Sequence, residues 1–167
     1  MHFCHHLNYF CIKRYLTMSK SYTQNNVHFV FSVKKRKCLI FEPLKSEIEK
    51  YICGIISEYK CIPHAIYCNP DHIHILVNVH RTLSLSDLAK IIKANSSKFI
   101  NKHHKLPCYF SWQVGYGAFS YSHSHIERVN RYIRNQANHH RNKNYQDEYI
   151  RFLNKFEIPY ELCDLFD

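Results

Sequence analysis

Two histidines, His72 and His74, stand one residue apart inside an apolar run that follows the tripeptide Asn-Pro-Asp. Alternate residues of a β-strand point to the same face, so a strand here would hold the two imidazoles side by side. Two adjacent neutral imidazoles are close enough to bind one metal ion. The pair is weak evidence by itself because the chain has 14 histidines, and a partly exposed polar strand face explains it more simply.

A second pair, Tyr132 and Gln136, lies four residues apart in a segment with helical periodicity. At about 100° per residue, the apolar side chains of this segment form one stripe, and the two polar side chains lie together along its edge. The stripe consists of Ile126, Val129, Ile133 and Ala137. A tyrosine that packs at the margin of the core is the ordinary explanation, so the spacing alone assigns no role.

Alternation of apolar and more polar residues predicts the strands that would carry these groups. The segment 26–33 has the pattern of a strand with one face in the core. Further strands are predicted at about 62–68, from His72 onward, and at about 108–114. In the strand that begins at His72, the aliphatic residues point away from the imidazoles and into the core.

Helical spacing of apolar residues predicts three longer helices and a short one. They cover roughly 43–60, a segment capped by Ser84 or Ser86, a segment from Ser124 to about 141, and 145–155. Ser124 and Glu127 have the spacing of a capping box. The order β-α-β-β-α-β-α predicts an α+β protein, a ferredoxin-like and RRM-like sandwich whose mostly antiparallel sheet carries helices, with a C-terminal helix that bears the tyrosine.

The charge balance favours a polyanionic partner. Lys and Arg outnumber Asp and Glu by 23 to 13, which gives a net charge of +10 and a pI near 9.2. Residues 81–143 hold eleven basic and two acidic residues, whereas 144–167 hold two basic and six acidic ones. A regional positive field of this kind favours nucleic-acid binding, although a solvated surface also explains a modest excess.

The eight cysteines include no C-x-x-C pair and follow no secretory signal, which predicts reduced thiols in a soluble, cytoplasmic protein. No apolar run approaches the roughly 20 residues of a transmembrane helix. We expect a single domain over 18–160, an acidic tail at 161–167 and a non-essential extension at 1–17. Zinc binding by the extension is disfavoured, because its candidate ligands have no common zinc spacing. These candidates are Cys4, His5, His6 and Cys11.

Three stretches of the sequence together resemble one protein family. They are NPDHIHILV, WQVGYGAFSYSHSHIERVNRYIRNQANHH and EYIRFLNKF. Over about residues 20–160 the chain is similar to the single-tyrosine HUH transposases of the smallest insertion sequences, the IS200-like transposases, where HUH denotes His, a bulky hydrophobic residue and His. The resemblance implies that His72 and His74 bind a metal ion, that Tyr132 is the nucleophile, and that Gln136 is the third metal ligand.

The same resemblance implies an enzyme that cuts and rejoins single-stranded DNA beside imperfect hairpins at insertion-sequence ends. Attack by Tyr132 would give a 5′-phosphotyrosine and a free 3′-hydroxyl, and this bond would conserve the energy for rejoining, so no nucleotide cofactor is expected. A tyrosine hydroxyl has a reference pKa of about 10 and needs help to act as a nucleophile at neutral pH. Two imidazoles and an amide oxygen suit Mg²⁺ or Mn²⁺, which would offset charge on the phosphate.

The family acts as a homodimer, often with the tyrosine helix of one subunit completing the metal site of the other, and the resemblance implies a homodimer here. Gly115 and Gly117, just before that helix, are candidates for a hinge that re-aims it. We also predict that basic side chains neutralise DNA phosphates. The candidates are Lys34, Lys35, Arg36, Lys37, Lys90, Lys93, Lys98, Arg128, Arg131 and Arg134.

Three other interpretations stay open at the level of sequence. An HUH replication initiator or relaxase would use the same residues, but such enzymes usually carry further domains. A non-catalytic or domesticated nucleic-acid-binding module would use the same sheet and basic surface without cleavage. A histidine-based metal hydrolase would use water as its nucleophile, and its activity would survive the loss of Tyr132.

Overall fold

The computed structural model describes residues 21–141 and 144–166. The predicted extension, with its Cys and His residues, lies outside the described residues. The strands are β1 (Asn26–Ser32), β2 (Ile62–Cys68), β3 (His72–Asn78) and β4 (Gly117–Ser120). The helices are α1 (Leu44–Glu58), α2 (Leu85–His103), α3 (Ile126–Arg134), α4 (Gln136–His139), α5 (Tyr145–Lys155) and α6 (Leu162–Leu165).

Strands β1 and β3 form the centre of a four-stranded sheet. The order is β2-β3-β1-β4, and every neighbouring pair is antiparallel. This is the predicted ferredoxin-like arrangement, so the α+β fold class is confirmed. In the register, Val30 lies opposite His74 and Ser32 lies opposite His72. Both histidines are therefore held by a strand that is paired on its two sides.

One face of the sheet packs against α1 and α2 and forms the larger apolar core. Phe29, Ile73 and Ile75 of the central strands are completely buried there, together with Ile48 of α1 and Ile92 of α2. Each fully buried side chain of this size stabilises the fold by about 1.5–3 kcal/mol. This face is therefore a major source of stability.

The opposite face of the sheet is covered by residues of α3 and α5. Leu76 of β3 packs there with Val129 and Ile133 of α3. His72 and His74 lie on the same face and are only 1% and 0% exposed. A partly exposed polar strand face, the simpler explanation of the histidine pair, is therefore wrong.

The predicted strand at about 108–114 is also wrong, because β4 forms the fourth strand. Within that segment Trp112 makes an isolated bridge to Val33. The Asn101 side chain accepts a hydrogen bond from the backbone N–H of Phe110 and donates one to its carbonyl, both at 2.8 Å. Backbone groups that a strand ladder would need are thereby already engaged.

The predicted capping box of Ser124 and Glu127 does not form. A turn of 3₁₀ helix at His123–His125 precedes α3, which begins at Ile126 without a side-chain cap. The hydroxyl of Ser124 instead lies 2.9 Å from that of Ser122. The 3₁₀ turn shifts the helix start by two residues relative to the prediction.

Helix α2 begins as its sequence predicts. The hydroxyl of Ser84 accepts a hydrogen bond from the backbone N–H of Asp87 at 3.0 Å, which confirms the predicted N-cap. The helix is 19 residues long and buries one side against the sheet. Within the described residues, no helix combines the length and the apolar character needed to cross a membrane.

Candidate active site

Helix α5 places the side chain of Glu148 against the strand face that bears His72 and His74. Glu148 is 2% exposed. Its Oε2 atom lies 3.3 Å from His74 Nε2, 3.7 Å from His72 Nε2 and 3.2 Å from His140 Nε2. Three imidazole nitrogens, two from β3 and one from the residue after α4, therefore converge on one carboxylate oxygen.

The other oxygen of Glu148, Oε1, faces the tyrosine-bearing helix. It accepts a hydrogen bond from the Tyr132 hydroxyl and another, of 2.9 Å, from Gln136 Nε2. His139 Nε2 lies 3.4 Å away. One carboxylate thus connects the phenol to the imidazoles of β3, and all of these groups belong to a single chain.

The Nδ1 atoms of the two histidines have partners on the side away from Glu148. His72 Nδ1 lies 2.7 Å from Asp71 Oδ1. Arg36 donates to the other oxygen of Asp71 from Nε at 3.1 Å and from Nη2 at 2.5 Å. His74 Nδ1 lies 2.9 Å from His28 Nε2. With Nδ1 of each ring engaged, Nε2 of His74 faces Glu148, whereas Nε2 of His72 lies closer to Asn69 Nδ2 than to Glu148.

Gln136, the third ligand implied by the resemblance, lies beside these atoms with its amide oxygen turned to Asn69. Gln136 Oε1 accepts a hydrogen bond of 3.3 Å from Asn69 Nδ2, which also lies 2.8 Å from His72 Nε2. The amide of Asn69 therefore joins two of the predicted ligand atoms. These hydrogen bonds place the amide nitrogen of Gln136 toward Glu148. A half-turn would bring the amide oxygen against the carboxylate oxygens, which is favourable only with a cation between them.

Burial and hydrogen bonding set the charges of this cluster. Burial lowers the pKa of His72 to about 4, with Asp71 opposing the shift in part. Burial opposes ionisation of Glu148, but His74 first, and then the other surrounding donors, hold the pKa of its carboxyl well below the usual range. Burial and the adjacent Glu148 carboxylate raise the pKa of Tyr132. At neutral pH the phenol is therefore protonated and hydrogen-bonded to an anion, which makes it a weak nucleophile.

The same cluster fits a divalent cation. The ligand atoms of His72, His74, His140 and Glu148 all lie within 4.8 Å of one another. Two ligands that bind one ion at about 2.1 Å lie about 3 Å apart when they are at right angles. His74 Nε2 and Glu148 Oε2 approach that spacing at 3.3 Å, and both are buried without a hydrogen bond of ordinary geometry.

Most of the predicted DNA-binding side chains are exposed. These are Lys34, Lys35, Lys37, Lys90, Lys98, Arg128, Arg131 and Arg134. Arg36 is engaged by Asp71, and its guanidinium lies 4.9 Å from the centre of the Tyr145 ring. Lys93 Nζ donates to two backbone carbonyls at 2.5 Å, and burial lowers its pKa to about 8. A role in DNA binding stays a prediction for all ten residues.

The two candidate hinge glycines occupy different settings. Gly115 has a φ of +81°, a conformation that glycine adopts without strain. Gly117 is the first residue of β4, and a Cβ atom there would lie 2.9 Å from the rings of Phe119 and Tyr149. Close packing therefore requires glycine at 117, and the hinge role of both residues stays a prediction.

Sequence reasoning missed Glu148 and His140. The signal for Glu148 was present, because it shares one stripe of α5 with Tyr145 and Phe152, and all three are buried. An acidic residue on an apolar helix stripe is rarely buried without a partner. No comparable signal marked His140, which lies in a segment rich in histidine and asparagine.

Comparison with known proteins supports the same fold and family. The sequence matches the family described as "Transposase IS200 like" over residues 21–136, and no curated protein matches it. A "putative transposase" of Deinococcus radiodurans R1 has a similar structure, with a TM-score of 0.57 and 19% identity over 72% of this chain and 98% of that chain. A REP-associated tyrosine transposase bound to a REP hairpin gives a TM-score of 0.55 and 12% identity over 74% of this chain and 73% of that chain.

The fold and the site together define a ferredoxin-like protein in which a tyrosine helix meets a buried histidine pair. The family match covers more than half of the chain and includes all four strands. The protein belongs to the IS200-like transposases, a family of DNA-processing enzymes. Glu148 and His140 lie beyond the matched residues, so the family match does not account for them.

Proposed function

We propose that the protein is a transposase that cleaves and rejoins single-stranded DNA at insertion-sequence ends through a 5′-phosphotyrosine at Tyr132. One observation carries this proposal. The Tyr132 hydroxyl and the imidazoles of His72 and His74 meet on the two oxygens of Glu148. One carboxylate thus separates the proposed nucleophile from the candidate metal site. The chain's membership of a transposase family supports the same assignment.

We propose that His72 and His74 hold a divalent cation, with an oxygen ligand from Glu148 and, after rotation of its amide, from Gln136. His140 is placed to contribute a further nitrogen. The mixture of imidazoles and a carboxylate favours Mn²⁺ over Mg²⁺, which prefers oxygen ligands. When bound, the cation would offset the negative charge that develops on the scissile phosphate.

In the cleavage step, Tyr132 Oη forms a bond to phosphorus, and the bond from phosphorus to the 3′-oxygen breaks. Glu148 already accepts the hydrogen bond of the phenol, which orients Oη, and the phenolic proton passes to water as the bond to phosphorus forms. The departing 3′-oxygen takes a proton from water. In the rejoining step a 3′-hydroxyl forms the bond to phosphorus and gives up its proton to water, while the bond from phosphorus to Tyr132 Oη breaks and Oη takes a proton from water. One phosphodiester is exchanged for another, so the reaction needs no nucleotide cofactor.

The proposed substrate is single-stranded DNA with hairpin ends. We propose that the enzyme acts on it in the cytoplasm. Two things support it: the net charge of +10 and the structural neighbour that is bound to a REP hairpin. Each chain supplies one Tyr132, and excision requires breaks at two ends, so we propose a homodimer. Because Tyr132 meets the histidines of its own chain here, each site can be complete within one subunit, and a swing about Gly115 and Gly117 would allow exchange.

The direct test is incubation with a labelled single-stranded oligonucleotide that contains the element's end and hairpin, in the presence of Mn²⁺. A denaturing gel should show a protein-linked band for the wild type and none for Tyr132→Phe, which should still bind the hairpin. Cleavage without a linked band would overturn the assignment of Tyr132 as the nucleophile. An unchanged cleavage rate in EDTA would overturn the proposal that cleavage depends on a metal ion.

A second candidate function is nucleic-acid binding without cleavage, and the burial of the site favours it. His74 and Gln136 are 0% exposed beneath the covering helices, so a phosphate reaches them only if these helices shift. A binding module would keep its full activity in Tyr132→Phe and would form no covalent product in the wild type. The oligonucleotide experiment separates the two functions.

A further inference from the structure

His28 is a completely buried histidine of β1 that neither the histidine pair nor the tyrosine helix includes. Its neighbours are mainly aromatic, with the rings of Phe152, Phe119 and Tyr132 centred 5.2, 6.3 and 6.5 Å away. The one hydrogen bond of its side chain among the described residues joins its Nε2 to His74 Nδ1 at 2.9 Å. The other nitrogen, Nδ1, has no hydrogen-bond partner among the described residues.

The bond between the two rings can be made in two ways, because a neutral imidazole carries one hydrogen. If His28 Nε2 donates, then His74 Nδ1 accepts, and the hydrogen of His74 lies on Nε2. That hydrogen would point to Glu148 Oε2, 3.3 Å away. In this arrangement His74 has no lone pair to offer an ion.

If His28 Nε2 accepts, then His74 carries its hydrogen on Nδ1 and its Nε2 lone pair faces the cluster. This is the arrangement that metal binding requires, since a ligating histidine donates its other N–H to a fixed acceptor. His28 can act as that acceptor only when neutral, and a ring enclosed by aromatic side chains and another imidazole is poorly suited to a charge.

We infer that His28 is a positioning residue for the metal site, which accepts the Nδ1–H of His74 and so directs the Nε2 lone pair of His74 to the ion. The inference rests on the metal site proposed above and deepens it. It distinguishes the two histidines of the pair: His72 has an acidic acceptor, Asp71, at 2.7 Å, whereas His74 depends on a neutral imidazole from another strand.

Co²⁺ is a suitable probe, because its binding is followed by visible absorption and it shifts the NMR signals of ligand N–H protons. We compare the wild type with His28→Phe, which fills the space but accepts nothing, and with His28→Gln, whose amide oxygen can accept. The matched control is His64→Phe, because His64 also bonds across strands, to Asn26 Oδ1 at 3.1 Å, but lies outside the cluster. Thermal unfolding of each metal-free variant establishes that the variant folds. If His28→Phe does not fold, His28→Leu is used in its place.

We expect His28→Phe to weaken Co²⁺ binding by about 10- to 100-fold and to lose one exchangeable, Co²⁺-shifted imidazole N–H signal of the wild type. His28→Gln should restore most of the affinity and the signal, which a purely structural role for the ring would not explain. His28→Phe with wild-type affinity and an intact set of signals would overturn the inference alone. Failure of the wild type to bind Co²⁺ would overturn the proposed metal site and this inference with it.

Discussion

The two faces of the sheet are both buried, but their chemistry is opposite. The face against α1 and α2 is packed with aliphatic and aromatic side chains such as Phe29 and Ile75. The face against α3 and α5 holds His28, His74 and Glu148 at 2% exposure or less. The alternation of β1 and β3 assigns successive residues to these two environments. Burial on the first face stabilises the fold, whereas burial on the second carries a desolvation cost that only pairing offsets.

This difference indicates that stability and chemistry are separable by strand register. A change on the apolar face should alter folding without altering the reaction of the folded molecules. A change on the polar face should alter the reaction of the folded molecules, and it should also cost stability wherever it leaves a buried partner unpaired. The following predictions test that separation.

The largest expected effect is the loss of reaction in Tyr132→Phe. Removal of the nucleophile should lower the rate of DNA cleavage by at least about a thousandfold, while the thermal unfolding temperature changes little. The rate is measured from a time course with labelled single-stranded DNA. The control is Tyr121→Phe, another partly buried tyrosine of this face, which should cleave at the wild-type rate. Equal losses in both variants would contradict the assignment of Tyr132.

On the apolar face, Ile75→Ala should lower the free energy of unfolding by about 2–5 kcal/mol, because it leaves a cavity in a completely buried position. Urea denaturation measures this change. The variant molecules that remain folded should still form the DNA adduct at the wild-type rate. A loss of adduct per folded molecule would show that the two faces are not separable.

Acid should destabilise the polar face of the metal-free protein. His72 has a folded pKa of about 4 against a usual value of 6.5, so its stabilising contribution is complete above pH 6.5 and is lost as the pH falls to about 4. The loss amounts to about 3 kcal/mol, and His28, whose pKa burial also lowers, adds to it. Urea denaturation across this range should give a shallower pH dependence for His72→Gln, and an unchanged one for the exposed His125→Gln. Equal slopes in wild type and His72→Gln would contradict a buried neutral His72.

Metal binding should depend on Glu148. Glu148→Gln should weaken Mn²⁺ binding by at least about tenfold, because it removes a buried anionic ligand, whereas Gln136→Ala should have a smaller effect. Electron paramagnetic resonance of free Mn²⁺ gives the affinity. Glu157→Gln, an exposed acid just after α5, serves as the control. Unaltered Mn²⁺ affinity in Glu148→Gln would contradict Glu148 as a ligand and would leave Gln136 as the one proposed oxygen ligand.

The smallest expected effect concerns the exposed basic turn between β1 and α1. Replacing Lys34 and Lys35 with alanine should lower the slope of log affinity against log salt by at most about 2, if each contacts one phosphate. Fluorescence anisotropy with a DNA hairpin measures the slope. Lys50→Ala, on the exposed side of α1, should leave it unchanged. A slope that is the same in both variants would remove this turn from the DNA-binding surface.

Where the sequence carried a strong local signal, the prediction and the structure agree. The bounds of β2 and α5 were predicted to the residue, and the placement of His72 and His74 on one strand face followed from alternation alone. β4 was missed because Gly117 weakens the strand pattern. Glycine is needed at that position because the rings of Phe119 and Tyr149 pack against it. The apolar stripe of α5 marks Glu148 as a buried acid, but its partners are distant in the sequence, so periodicity does not specify which groups it contacts.

The central claim is that the Tyr132 oxygen becomes bonded to DNA. The most direct measurement is mass spectrometry of the wild-type protein after reaction with a single-stranded element end and Mn²⁺, nuclease trimming and protease digestion. The account predicts that the nucleotide mass is found on the peptide that contains Tyr132, with fragment ions that assign it to that side chain. A nucleotide on another residue, or cut DNA with no modified peptide, would contradict it.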